Sequence, residues 1–249
     1  MQNISSKTRN KFFIAGTDTG VGKTCVASAL LCAAKKHGLT TLGLKPVAAG
    51  GELNSGDNKS VTESNISYLQ NEDALELMKH STMQLSYEQV NPICLAEAIA
   101  PHIAAERESK QLKVDRIAGF CRGALMNRAD FVVVEGAGGW RVPLNRRESM
   151  ADLALALNMP VILVVGMRLG CLNHAILSAE MIRRDGGALA GWIGVQLEPD
   201  MPVYEENVRS LAEHLNAVHL GQISHTKSLS VELVAEQLDI SKILENVRT

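Results

Sequence analysis

The most constraining feature of this chain lies near its start. An apolar run, KFFIAG (11–16), passes directly into a stretch dense in Gly and Thr, GTDTGVGKT (16–24). Residues 23–37 then read as a helix. A strand that turns through glycines into a helix aims main-chain N–H groups, and the positive end of the helix dipole, at one point. Such a turn is built to hold an anion. In the common phosphate loop a Gly stands six residues before the Lys of G-K-[ST]. Here Thr17 has that place and Gly16 comes one residue earlier, so the loop is one residue longer.

The rest of the chain fits one architecture. The runs 11–16, 41–47, 131–136, 161–166 and 190–197 are short and apolar on both faces, as strands of a helix-covered parallel sheet are. Helical patterns near 23–37, 71–80, 111–127, 150–157, 172–185 and 203–216 lie between them. The alternation predicts an α/β fold with a doubly wound, mostly parallel sheet and helices on both faces. Ligands on such a sheet bind outside the carboxyl ends of its strands. At 249 residues and 46% hydrophobic content, one domain spanning 1–249 is expected. The polar first ten residues are expected to be a disordered tail. The Gly/Ser/Asn-rich segment 50–65 is expected to be a mobile surface loop.

Composition narrows the partners. A net charge of −2 offers no basic field for nucleic acid or membrane, and no apolar run nears the length of a bilayer span. With no apolar signal core, a cytoplasmic enzyme is expected. The five cysteines form no C-x-x-C pair, which suggests reduced thiols. The seven histidines lack metal-ligand spacing, so no zinc site is expected. Trp140 and Trp192 are expected to cover hydrophobic surface, and His102, His174 and His225 to be structural or surface residues.

Several residues can carry chemistry. Gly20, Val21 and Gly22 form the turn around the anion. Lys23 can reach β- and γ-phosphates, and the Thr24 hydroxyl can ligate Mg²⁺. Cys25 continues the turn; with Cys32, seven residues on along one helix face, it reads as packing. Glu135 ends a buried strand and can bind Mg²⁺, with Gly136, Ala137 and Gly138 allowing close backbone approach; alone it could equally cap a turn. Lys45, before Pro46, would face the crevice and pair with a developing anion, burying little of itself, or be a solvated lysine. Asp73 sits in a first helical turn, where an acid also simply stabilises the helix. Cys171, Leu172 and Asn173 open a helix whose N–H groups could bind a carboxylate, or form an ordinary loop.

In order, GTDTGVGKT, KPVAAG, NEDAL, NPICLAEAIAPHIAA, VEGAGGW, PVILVVGMRLGCLNHA and LAGWI resemble the dethiobiotin synthetase family from about residue 11 to 221. The longer loop is a feature of that family. The resemblance implies a P-loop NTPase fold and an ATP- and Mg²⁺-dependent cyclo-ligase. Its substrates would be 7,8-diaminononanoate and CO₂, and its product dethiobiotin, made through a carbamate and a carbamic–phosphoric anhydride. It assigns carbamate and phosphate contacts to Thr19, Lys23 and Lys45, and Mg²⁺ to Thr24, Asp73 and Glu135. It also implies a homodimer in which the segment at Cys171–Asn173 of one subunit receives the carboxylate tail bound by the other.

Three positions depart from the family pattern. Ala49 stands where a Ser usually contacts substrate. Val195-Gln196 replace an Asn-Asp pair at the nucleotide base, leaving Gln196 as the candidate base contact. ISHT (223–226) replaces I-P-W-L. A P-loop switch protein of the partitioning or division-site type is the rival class. It would carry an extra Lys early in the loop, where this chain has Thr17-Asp18, or a basic amphipathic tail, where this chain has one of mixed charge. A cobyrinate-type amidotransferase would need a glutaminase domain for which this chain is too short.

Overall fold

The computed structural model describes residues 10–54, 68–225 and 230–244. The elements run β1 (Asn10–Gly16), α1 (Lys23–Lys36), β2 (Thr41–Leu44), β3 (Val47–Ala49), β4 (Glu52–Asn54), β5 (Tyr68–Gln70), α2 (Glu72–His80), α3 (Tyr87–Val90), β6 (Ile93–Leu95), α4 (Pro101–Arg107), α5 (Val114–Leu125), β7 (Phe131–Gly139), α6 (Met150–Leu157), β8 (Val161–Met167), α7 (Cys171–Arg184), β9 (Leu189–Gln196), α8 (Tyr204–His214), β10 (Val218–Ile223) and α9 (Val231–Glu236).

Six strands form the main sheet in the order β10-β9-β8-β1-β7-β2. Every pairing in it is parallel. This is the P-loop NTPase architecture. The strands are Val- and Ile-rich and buried on both sides, because helices cover both faces. One core joins the sheet to α3–α8, including Ile117, Leu153, Ala175 and Leu211. The other joins it to α1 and α9 through Leu30, Leu31 and Val234. Helix α1 is Ala/Leu-rich, which favours helix, and Lys35 and Lys36 sit at the negative end of its dipole. A capping box between Ser149 and Asp152 starts α6. Among the described residues no helix is long and apolar enough to cross a membrane.

The topology fixes where a ligand can sit. After β1 the chain moves to β2 and back to β7 on one side, then crosses to β8 on the other. That reversal opens a crevice at the carboxyl end of β1.

Several local expectations change. The strand expected over 41–47 breaks at Lys45-Pro46: β2 ends at Leu44, and β3 leaves the main sheet to pair with β6. Proline has no N–H for a ladder, so a central strand cannot pass through it. Asn10, expected in the tail, is the buried first residue of β1; the other tail residues, 1–9, lie outside the described residues. Within 50–65, Glu52–Asn54 pair antiparallel with β5, and 55–65 lie outside the described residues. Trp192 is fully buried rather than covering surface, and its ring stacks on His219 at 4.1 Å. Trp140 is buried as well, and its indole N–H donates to Asp185 Oδ2 at 2.8 Å.

Candidate active site

The phosphate loop spans the gap between β1 and α1. Gly22, the residue before α1, has φ +83°, and a Cβ there would lie 3.3 Å from Val195 Cγ1. The left-handed backbone favours glycine here, and a side chain would also press on Val195. Thr17, in the position usually held by Gly, accepts a hydrogen bond on Oγ1 from the Gly166 N–H at 3.2 Å. Asp18 Oδ1 accepts from the Thr19 N–H at 2.7 Å, while its Oδ2 pairs with Arg168 at 2.8 Å. The lengthened half of the loop is therefore braced against the end of β8. Lys23 curls back over it, donating to the Asp18 carbonyl at 2.8 Å. Burial, and then the nearby Lys45 charge, lower the Lys23 pKa to about 8.

Four side chains from separate elements meet beside Lys23. Glu135 lies on β7, at the last regular pairing with β1 before the register shifts across Gly136–Gly138. It is 1% exposed. Its Oε1 accepts from Lys45 Nζ at 2.5 Å and from Thr24 Oγ1 at 2.9 Å. Lys45 also pairs with Asp73 Oδ2 at 2.8 Å. Burial alone would lower the Lys45 pKa, but Glu135 and Asp73 outweigh it and raise it. Burial opposes ionisation of Asp73 too, yet Lys45 and the Thr24 hydroxyl hold its carboxyl below the usual range. Lys45 is 4% exposed, so the expected shallow strand-end lysine is instead a buried one.

Glu135 Oε2 is buried with no hydrogen-bond partner among the described residues. A buried carboxylate oxygen without a partner is costly. Together with the Thr24 hydroxyl and the Asp73 carboxylate it makes an all-oxygen donor set, which fits Mg²⁺.

These groups open onto a cleft of about 700 Å³. Thr19, Gly20 and Gly138 reach it from the loops, and Ala49, Ala98, Ile99 and Val142 give it an apolar wall. Gly138 has φ +63°, and a Cβ there would lie 2.7 Å from Val142 Cγ2. The wall residues Ala98, Ile99 and Val142 carry no polar signature, and sequence reasoning assigned them no role. It also missed the support beneath Lys45. The buried Asn91 donates through Nδ2 to the Lys45 carbonyl at 2.5 Å and accepts from the Tyr87 hydroxyl at 2.7 Å. That hydroxyl accepts from the Asn71 N–H at 2.8 Å, one residue before α2.

Other expected residues lie apart. Cys171, Leu172 and Asn173 open α7 and do not line this cleft. Of the N–H groups expected to be open there, that of Cys171 already donates to the Arg168 carbonyl at 3.0 Å. Gln196, at the end of β9, also lies off the cleft. Its Nε2 donates to the Pro199 carbonyl at 3.1 Å, and its Oε1 accepts from the His225 N–H at 3.4 Å. Thr226 lies outside the described residues.

A family model described as an AAA domain matches residues 10–232. The chain is 52% identical over 237 residues to the ATP-dependent dethiobiotin synthetase BioD of Cellvibrio japonicus, covering 95% of this chain and 99% of that protein. It is 44% identical to the BioD of Marinobacter nauticus, covering 96% and 99%. The chain belongs to the dethiobiotin synthetase family. Among solved structures, the septum site-determining protein MinD from Pyrococcus horikoshii OT3, complexed with Mg-ADP, aligns with a TM-score of 0.50. It covers 90% of this chain and 92% of that one at 16% identity, a likeness of fold alone. Family membership at this level sets aside the division-site rival, which shares the architecture only.

Proposed function

We propose that this chain is an ATP-dependent dethiobiotin synthetase, joining 7,8-diaminononanoate and CO₂ into a cyclic urea while ATP becomes ADP and phosphate. One observation carries the reading: Lys23 and Thr24 of the phosphate loop converge with Glu135, Lys45 and Asp73 at the end of an apolar-walled cleft. The wall suits the substrate's hydrocarbon chain. The charged end suits the two anions that must meet there.

In the reaction, one amine adds to CO₂ and gives up a proton to form a carbamate. A carbamate oxygen then attacks the γ-phosphorus and displaces ADP. The second amine attacks the carbonyl carbon of the resulting anhydride, closing the ring and expelling phosphate. Both reacting anions repel each other until their charge is neutralised. Lys23 supplies positive charge at the phosphates. Lys45, raised in pKa and fixed by two carboxylates, supplies it at the reacting oxygens. Thr19 contacts the carbamate side, and the N–H groups of Gly20–Cys25 cradle the triphosphate. Thr24, Asp73 and Glu135 would hold Mg²⁺, which supplies Lewis-acid neutralisation of the phosphate oxygens. The substrate's carboxylate tail would meet α7 of a second subunit, main-chain donors there narrowing to Leu172 and Asn173. This accords with their place outside the cleft of their own chain.

The test is Glu135→Gln, which keeps size and removes charge. Phosphate release that depends on diamine and bicarbonate should fall by a factor on the order of 10² or more, while the variant still folds by circular dichroism. Near-wild-type turnover with unchanged Mg²⁺ dependence overturns the assignment. In the wild type, DNA or lipid vesicles should not replace diamine and bicarbonate as the stimulus.

A further inference from the structure

On the face of the sheet that α1 and α9 cover, three helices bring a second set of ligand-type side chains together. Cys32 lies on α1, His80 ends α2, and Glu232 lies in the first turn of α9. One donor atom of each lies within 4.8 Å of the others. Cys32 Sγ and His80 Nδ1 are 3.2 Å apart. The other ring nitrogen of His80, Nε2, is held by Glu76 Oε1 at 2.8 Å, one helical turn earlier on α2. Cys32 and the His80 side chain are almost fully buried, while Glu232 faces solvent. Their separation in sequence, at 32, 80 and 232, is why histidine spacing predicts no zinc site.

We propose that Cys32, His80 and Glu232 form a binding site for a zinc-class divalent cation, separate from the phosphate cleft. Three features of the geometry support it. First, bond lengths of about 2.3 Å to sulfur and 2.0–2.1 Å to nitrogen in a tetrahedron put the two donor atoms about 3.5 Å apart. The observed separation needs to open by only a few tenths of an ångström. Second, a carboxylate on the far nitrogen of a ligating histidine is the usual outer-shell device that fixes the ring and its tautomer, and Glu76 occupies that place. Third, thiolate and imidazole donors select zinc-like ions over Mg²⁺ or Ca²⁺, so this set and the all-oxygen set at Glu135 would sort the two kinds of cation. Binding exchanges the Cys32 thiol proton for the metal, the proton leaving to solvent. Three protein ligands leave one position for water.

The site would act as a clasp. Helix α9 rests on α1, and near the cluster it has an exposed ion pair, Lys36–Glu236, at 2.9 Å. A metal bond to Glu232 would fasten the same helix to both α1 and α2, which carry Thr24 and Asp73 at their other ends.

The test uses the full chain freed of metal and titrated with Co²⁺ or Zn²⁺ alone, with excess Mg²⁺ present to fill the oxygen site. Wild type should take up one Co²⁺ with a thiolate-to-metal charge-transfer band. Cys32→Ser should lose the band, and Cys171→Ser should keep it. Glu76→Gln should weaken binding by about 10- to 100-fold. At a hundredfold excess over Kd, Zn²⁺ should raise the unfolding midpoint of wild type by about 5–10 °C, a shift that Cys32→Ser and His80→Gln lose. Absence of a charge-transfer band in the wild-type protein, or a band that survives in Cys32→Ser, overturns the proposal; the first of these needs no variant to fold.

Discussion

The two rims of the crevice are built on opposite plans. On the rim made by β1, β7 and the end of β2, two buried charged side chains, Lys45 and Glu135, are paired with each other and with half-buried neighbours: Lys45 with Asp73, Glu135 with Thr24. On the rim made by β9 and the chain after β10, Val195 packs beside Gly22, and the Gln196 amide is spent on Pro199 and His225. The first rim holds charge in fixed positions at the cost of desolvation. The second offers apolar surface and an amide already engaged. Under the proposed function, chemistry on charged groups would belong to the first rim, and the second would be the place where selectivity can drift without harming catalysis.

Lys45→Ala should break this contrast most severely. It leaves Glu135 buried without its cation, so stability should drop by about 3–5 kcal/mol, and kcat by a factor on the order of 10² or more. Denaturant titration and steady-state kinetics read the two effects. The stability loss is what sets this buried lysine apart from the strand-end lysine expected to bury little of itself. Little loss of stability would show that the ion pair is not what holds the rim.

Asn91→Ala probes the support instead of the charge. Removing its hydrogen bonds to Lys45, Ile93 and Tyr87 should cost about 1–3 kcal/mol. Loss of alignment at Lys45 should lower kcat by about 10- to 100-fold. A kcat unchanged beside a lowered stability would mean that the network serves the fold alone.

On the second rim the expected effects are smaller. Where the family usually offers an Asn to the nucleotide base, Val195 offers no hydrogen bond. Other nucleoside triphosphates should therefore be used with kcat/KM within roughly tenfold of ATP. Gln196→Ala should change that ratio little, since its amide is tied to the chain. Comparison of ATP, GTP, CTP and UTP at saturating diamine and Mg²⁺ decides it. A preference for ATP above about a hundredfold, abolished by Gln196→Ala, would mean that the Gln196 amide turns to the base.

The smallest effect concerns His219 on β10. Burial, and to a lesser degree Lys242, lower its pKa, while Glu205 and a main-chain bond at Gly221 oppose the shift. Its Nε2 is buried with no partner among the described residues. A depressed folded pKa means that the unfolded chain binds the proton more readily, so stability should fall as pH drops from about 6.5 toward the folded value and then level off. The unfolding midpoint across that range should show a slight decline that His219→Gln removes.

The sequence by itself determined the parts whose physics is local. The strand–glycine turn–helix of residues 11–37 declares an anion site, because its N–H groups and dipole belong to one continuous segment. The doubly apolar runs declare a covered parallel sheet. The likeness of ordered motifs to one family gave Lys45, Asp73, Glu135 and the α7 start the roles that the residues alone left open. The tertiary structure decided everything that depends on what lies across from a residue. It buried Lys45 between two acids, because three separate elements close on it. It ended β2 at Pro46 and moved β3 into another sheet. It supplied β10, whose polar and exposed positions, as on an edge strand, hid it from an apolar pattern. It tied up the Gln196 amide and the Cys171 N–H with neighbours that no spacing rule foresees. It also joined Cys32, His80 and Glu232, which are unrelated along the chain. Local backbone preference can be read in sequence order, whereas burial, pairing and pKa depend on distances that exist only after the helices have packed on the sheet.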